Sequence, residues 1–317
     1  MNIVVLEGYA SNPHDMDWDG FRQFGELTVY DFTAPEQIVE RSRDAEIVFI
    51  NKSPMTAEVI AACPKLRMIG ILATGYNIVD LAAAKAHGVT VCNVPGYSTN
   101  AVAQMTWALL LETTQHVGLH NASVHAGQWQ AAPTFCYWNA PLSELAGKTM
   151  GIVGYGAIGK AVGAVAQAFG MHLLVTARHP KPVPDGAEFV ALPELLRRSD
   201  VVSLHCPQTA ENLHMIDAAA LAQMKDGATL LNTARGGLID EAAVTAALES
   251  GKLAYYCADV VSKEPIDPGN PLLTAPNCIL TPHIAWAPKE TRVRLHAAAV
   301  ENLRAFLAGA PQNVVNP

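Results

Sequence analysis

Charge is scarce in this chain and is nowhere concentrated. Asp, Glu, Lys and Arg make up 16% of its 317 residues, and the net charge is −8. No block of Lys and Arg occurs, which argues against nucleic acid or an anionic membrane surface as partner. No apolar run approaches the ~18 residues needed to span a bilayer. The first residues read directly as a strand without a basic leader, so a cytoplasmic protein is expected. Six cysteines, at positions 63, 92, 136, 206, 257 and 278, are scattered singly without C-x-x-C spacing. Neither a disulfide frame nor a metal site is expected from them; they read as reduced, small hydrophobic residues.

What the chain has instead is apolar material, 50% of all residues, in short runs separated by helical patterns. Its length suits two domains. Strands are expected at 3–6, 28–30, 47–50, 68–72 and 89–93, with helices near 35–43, 56–62 and 79–86. A long apolar helix should open at Ser98–Asn100 and run to about Gln115. The stretch from Asn121 to Pro141 reads as an irregular, aromatic connecting arm. Six further strands are expected at 150–153, 173–176, 201–205, 229–232, 255–259 and 278–281. The tail from Pro288 to Gly309 reads as one amphipathic helix with Val293, Ala297, Val300, Leu303 and Leu307 on its apolar face. The pattern implies an α/β protein of two doubly wound, Rossmann-like domains with parallel sheets. The first is flavodoxin-like and formed by residues 1–98 and 287–317, the second is formed by residues 99–286, and a ligand cleft is expected between them.

The strongest local signal is Thr149-Met-Gly-Ile-Val-Gly154-Tyr-Gly156-Ala157-Ile158-Gly159. A buried strand, a Gly-x-Gly-x-x-Gly turn and a helix start is the context in which this spacing binds a dinucleotide. Gly154 allows the turn, Gly156 lets a pyrophosphate approach and Gly159 lets helix and strand pack closely. The free N–H groups of the helix start then face the phosphates.

Strand carboxyl ends are where an open α/β sheet places its chemistry. Three such ends carry Arg235 (in Asn-Thr233-Ala234-Arg-Gly-Gly), Glu264 (in Val-Val-Ser-Lys-Glu-Pro) and His283 (in Thr-Pro-His-Ile-Ala-Trp286). A cation, a carboxylate and an imidazole at three successive strand ends form an anion clamp, a carboxylate partner and a proton donor, although each taken alone could be an ordinary surface or structural residue.

In these runs, together with Ile71-Leu-Ala-Thr74-Gly75-Tyr-Asn-Ile-Val-Asp, the chain resembles the D-isomer-specific 2-hydroxyacid dehydrogenase family over nearly its whole length, most of all its glycerate dehydrogenase and hydroxypyruvate or glyoxylate reductase branch. The resemblance implies a homodimer and hydride transfer between a nicotinamide cofactor and a small 2-oxo acid. By the same resemblance His283 exchanges the proton and Glu264 fixes its tautomer and stabilises its charged form. Arg235 holds the oxo group and carboxylate, and Thr74 and Gly75 offer backbone N–H groups to that carboxylate. Asp259 resembles the residue that bonds the nicotinamide carboxamide, with turn capping as its bland alternative. Trp286 and Trp138 are candidates for apolar walls of the substrate pocket, Trp138 reaching in from a partner subunit, and both could equally be ordinary core or interface aromatics. Pro207, Thr233 and Ala234, just past two other strand ends, belong with the expected cofactor contacts. The roles of Lys52 and Ser53 stay open.

A dinucleotide site that prefers NAD carries Asp or Glu at the end of its second strand. Here that position is Ala177, followed by Arg178, His179 and Lys181, so NADP is the preferred cofactor and NAD a possible one. Two other readings stay open. One is an NADH-dependent D-lactate-type dehydrogenase, and the other is a non-catalytic dinucleotide-sensing protein on the same fold.

Overall fold

Ile47-Val-Phe-Ile50 contains only large apolar residues, and all four are enclosed. A strand buried on both faces belongs in the middle of a parallel sheet covered by helices. The structure, a computed structural model, describes all residues from Met1 to Pro317. It divides into two units, Met1–Ser98 with Trp286–Pro317, and Thr99–Ala285.

The first unit runs β1 (Asn2–Val5), α1 (Gly8–Ser11), α2 (Asp19–Arg22), β2 (Glu26–Val29), α3 (Ile38–Ser42), β3 (Ile47–Ile50), α4 (Ala57–Ala61), β4 (Met68–Ile71), α5 (Leu81–Ala86) and β5 (Thr90–Cys92). Its strands lie in the order β2-β1-β3-β4-β5, all parallel, which is the flavodoxin-like order. Thr56 and Asp80 cap α4 and α5 through their side-chain oxygens, as short polar residues do at helix starts.

The second unit continues with α6 (Thr99–Gln115), α7 (Val117–His125), β6 (Thr149–Val153), α8 (Ala157–Ala168), β7 (His172–Thr176), β8 (Ala187–Phe189), α9 (Leu192–Arg198), β9 (Val201–Leu204), α10 (Ala218–Gln223), β10 (Ala228–Asn232), α11 (Glu241–Glu249), β11 (Leu253–Ala258) and β12 (Cys278–Leu280). The sheet order is β12-β11-β10-β9-β6-β7-β8. This is the dinucleotide-binding arrangement with one extra edge strand, and its order reverses between β6 and β9. Cores on its two faces hold Leu195, Val202, Leu230 and Tyr256 on one side and Trp107, Ile152, Leu173 and Cys257 on the other.

Three expectations need correction. The second sheet has seven strands, because Ala187-Glu-Phe189 adds a short edge strand pairing with β7. The stretch beginning at Asn121 is not irregular throughout, since α7 continues to His125. The final helix α12 (Lys289–Leu307) exists, but its buried face is Arg292, Leu295, His296, Ala299, Asn302 and Leu303, while Val293 and Leu307 are exposed. Polar members of that face have partners. Arg292 makes a bidentate bond to Asp15 at 2.6 and 2.7 Å, His296 lies 3.0 Å from the Ser11 hydroxyl, and Asn302 donates to the Asn93 carbonyl. A search for apolar periodicity cannot register a helix face satisfied by hydrogen bonds.

Candidate active site

The glycine turn sits after β6, beside the point where the strand order reverses. Gly154 has φ +99°, and a Cβ on Gly159 would lie 2.2 Å from the Gly154 carbonyl oxygen, so both are required by the protein itself. Gly156 is different. Its backbone is extended, a Cβ there would meet nothing within 4 Å, and no side chain caps α8. Nothing in the chain requires a glycine at this position, whereas a phosphate approaching the free N–H groups of Ala157 and Ile158 would. The cradle fits a dinucleotide.

β10, β11 and β12 are adjacent and parallel, so the loops bearing Arg235, Glu264 and His283 leave the same edge side by side. Gly236 seats the first loop on the second, since a Cβ there would fall 1.9 Å from the Val261 carbonyl carbon. Glu241, at the start of α11, accepts from the Ser262 amide and hydroxyl, both at 2.8 Å, and from Asn270 at 2.9 Å. It thereby holds the loop that carries Glu264. Neither Gly236 nor Glu241 stood out in the sequence, because their roles depend on which loops meet.

The third loop is held by Asp259. This carboxylate is 1% exposed. It accepts from the Thr281 hydroxyl at 2.5 Å, the Ile284 amide at 2.9 Å and the Ala285 amide at 2.7 Å. Between those anchors His283 adopts φ +55°, a conformation uncommon outside glycine that persists where its surroundings enforce it. Asp259 therefore does cap the local turn. Its Oδ2 accepts a single bond and retains capacity for another donor.

Glu264 Oε2 and His283 Nδ1 are 2.6 Å apart, with the side chains 33% and 28% exposed, while Glu264 Oε1 accepts from the Val261 amide at 3.3 Å. A carboxylate hydrogen-bonded at Nδ1 fixes the ring tautomer and makes Nε2 the nitrogen suited to proton exchange. Arg235 is exposed, its Nη1 donating to the Ala234 carbonyl at 2.6 Å. Thr233 is buried, hydrogen-bonded to Thr106 at 2.9 Å, and the Ala234 amide donates to Asn232. A carboxylate-bound imidazole and an exposed guanidinium on neighbouring strand ends suit proton exchange beside an oxyanion.

Ala177, Arg178 and His179 follow the carboxyl end of β7. Arg178 pairs with Glu211 at 3.4 Å, both well exposed; this carboxylate comes from the loop after β9 and was not legible as a neighbour. Pro207 lies exposed on that same loop. Next to the glycine turn, His205 holds the Ser203 hydroxyl at 2.8 Å and its enclosed Nδ1 has no partner. Burial pushes its pKa down to about 3, so it stays neutral.

In the first unit, Thr74 and Gly75 follow β4. The Thr74 hydroxyl donates to the Val94 carbonyl at 2.9 Å and its carbonyl accepts from Asn93 at 2.7 Å. The amides of Thr74 and Gly75 make no hydrogen bond within the protein, leaving two adjacent donors. Trp286 packs partly buried on the core formed by Ile3, Phe49 and Leu295. Lys52 is exposed and Ser53 enclosed at the end of β3, and Trp138 is 67% exposed.

Comparison with known proteins identifies the family. Residues 107–285 match the model of the D-isomer specific 2-hydroxyacid dehydrogenase, NAD binding domain. The chain is 51% identical to a hydroxypyruvate reductase of Blautia hydrogenotrophica, covering 100% of both chains. It is 45% identical to a glycerate dehydrogenase of Methylorubrum extorquens, over 89% of this chain and 88% of that one. The crystal structure of a Thermus thermophilus protein is similar with a TM-score of 0.88 and 38% identity, covering 99% of this chain and 100% of that one.

Proposed function

The chain belongs to the D-isomer specific 2-hydroxyacid dehydrogenase family, and from that footing we propose that it reduces hydroxypyruvate or glyoxylate to the corresponding D-2-hydroxy acid, with NADPH preferred over NADH. It is a nicotinamide-dinucleotide-dependent dehydrogenase; the substrate, the cofactor preference and the residue roles are our reading. The observation that carries the roles is the 2.6 Å bond between Glu264 and His283 on a strand end adjacent to the one bearing Arg235.

When bound, the dinucleotide supplies the hydride at its nicotinamide ring. The protein's own residues do the rest. His283 Nε2 gives a proton to the oxo oxygen in reduction and takes it back in oxidation. Glu264 fixes the tautomer and stabilises the charged ring. Arg235 holds oxo oxygen and carboxylate with a planar guanidinium, which a point-like ammonium could not match. Thr74 and Gly75 receive the carboxylate on their unpaired amides. Trp286 walls the substrate, and Asp259 offers Oδ2 to the nicotinamide carboxamide. Gly156, Ala157 and Ile158 hold the pyrophosphate, with Pro207, Thr233 and Ala234 completing the cofactor contacts.

NADPH preference rests on Ala177, Arg178 and His179: no carboxylate on the β7 end repels a 2′-phosphate, and a cation is there to pair with it. Glu211 is the counterweight, because a phosphate must displace it from Arg178. A homodimer accounts for Trp129, Phe135 and Trp138, all more than half exposed, and for the apolar groove of Trp107, Leu111 and Val165 between α6 and α8. Six unpaired cysteines suit a reducing compartment, the cytoplasm.

The test is nicotinamide absorbance with hydroxypyruvate, glyoxylate and pyruvate, each with NADPH and NADH. Consumption of NADPH with either of the first two is expected. A flat trace across the panel would favour the dinucleotide-sensing alternative, and pyruvate with NADH as best pair would favour a D-lactate-type enzyme.

A further inference from the structure

The carboxyl edge of the first sheet contains an anion-binding site that the protein has filled with its own side chain. Glu7 follows β1, and β3 is the neighbouring strand. Oε2 of Glu7 accepts from three consecutive amides at the end of β3: Asn51 at 2.9 Å, Lys52 at 2.9 Å and Ser53 at 2.8 Å. Successive N–H groups converging on one point form a nest, the backbone's usual way of binding an anion without a cationic side chain. All three partners of Glu7 Oε2 are backbone amides, so their dipoles face its charge. Asn51 and Ser53 are buried, so without the carboxylate their amides lose their partner within the protein.

The nest is the first link in a chain of bonds across the edge. Asn51 Nδ2 donates to the Leu72 carbonyl at 2.8 Å, and the Leu72 amide returns a bond to Ile50 at 2.7 Å. Two residues on, Thr74 is held from the other side by Asn93 and Val94. The segment Leu72–Thr74 is thus held between the ends of β3 and β5, and on the β3 side Glu7 anchors the backbone of Asn51, one of the two residues that bond Leu72.

We propose that Glu7 is a positioning residue, an internal anion in a three-amide nest that fixes the loop whose Thr74 and Gly75 amides receive the substrate carboxylate. The proposal rests on that assignment of Thr74 and Gly75. Removing the carboxylate leaves a vacant nest that a small external carboxylate can enter.

The experiment compares wild type with Glu7→Ala and Glu7→Gln. KM for the 2-oxo acid should rise ~10-fold or more in Glu7→Ala, with kcat less affected and dinucleotide affinity unchanged. Glu7→Gln should fall between, because its amide oxygen accepts the same bonds without the charge. Added acetate should lower KM in Glu7→Ala, whereas in wild type it can only compete with substrate. Amide hydrogen exchange without substrate gives a readout independent of turnover: the bonded amides of residues 51–53 and of Leu72 should lose protection together in Glu7→Ala and regain it with acetate. Wild-type KM in Glu7→Ala overturns the proposal. So does a variant that loses stability, dinucleotide affinity and turnover together with no response to acetate. If exchange changes as expected while wild type reduces no 2-oxo acid, the clamp stands but the substrate role of the loop, and with it the positioning proposal, is wrong.

Discussion

Glu264→Gln separates the charge of this carboxylate from its shape. The glutamine is nearly isosteric, and its amide oxygen can still accept from His283 Nδ1 at the present 2.6 Å. Its nitrogen would then face the Val261 amide, forfeiting a bond that is already long at 3.3 Å. A hydrogen bond with a charged partner contributes ~1.5–3 kcal/mol against ~0.5–1.5 kcal/mol for a neutral one. The difference, about 1–2 kcal/mol, corresponds to roughly 5–30-fold in rate. The pair is about a third exposed, so water screens part of the interaction and the lower half of that range is expected. The loss belongs to the direction in which His283 gains its charge. The assay is therefore oxidation of the D-2-hydroxy acid, read as kcat/KM at neutral pH. An unchanged value, or a loss confined to dinucleotide affinity, would refute a role for the Glu264 charge in proton exchange.

Arg178→Ala should raise KM for NADPH by ~10-fold or more and leave KM for NADH nearly unchanged, while Glu211→Gln should favour NADPH further; steady-state kinetics with both cofactors checks each. Arg235→Lys should weaken substrate binding and turnover together, because an ammonium cannot hold the oxo oxygen and carboxylate bidentately; kcat and KM measured with one substrate decide it. Stability should fall in acid. Burial, reinforced by the Arg292 charge, pushes the His296 pKa down to about 4, so this ring is neutral when folded while its unfolded form takes up a proton below ~6.5. Its contribution is intact above pH ~6.5 and is progressively lost as pH falls toward about 4, by up to ~3 kcal/mol. His205 acts in the same direction down to about pH 3. Thermal melts of wild type and His296→Gln across that window should show the variant losing less, and parallel curves would refute the assignment.

Much of the fold was legible because most strands are enclosed and apolar, as in Ile47–Ile50, and because the glycine turn after β6 has a fixed spacing. What escaped lacked such a signal. β8 is three residues at an edge, with Glu188 in its middle, and presents no apolar run. The buried face of α12 is built on Arg292, His296 and Asn302, whose partners come from the other end of the chain. Arg235, Glu264 and His283 could be picked out because each follows a recognisable strand. Gly236, Glu241 and Glu7 could not, since a glycine that admits a neighbouring loop, or a carboxylate that caps another segment's amides, is defined by what it touches. Asp259 lies between these cases: its place after β11 marked it, yet its bonds to the His283 loop appear only in three dimensions.

The central claim is that His283 moves the proton and does not hold the cofactor. It is tested most directly by measuring wild type and His283→Ala side by side for turnover of a 2-oxo acid and for dinucleotide affinity. Turnover lower by at least ~10²-fold with affinity unchanged is the expected result, and turnover near wild type would contradict it.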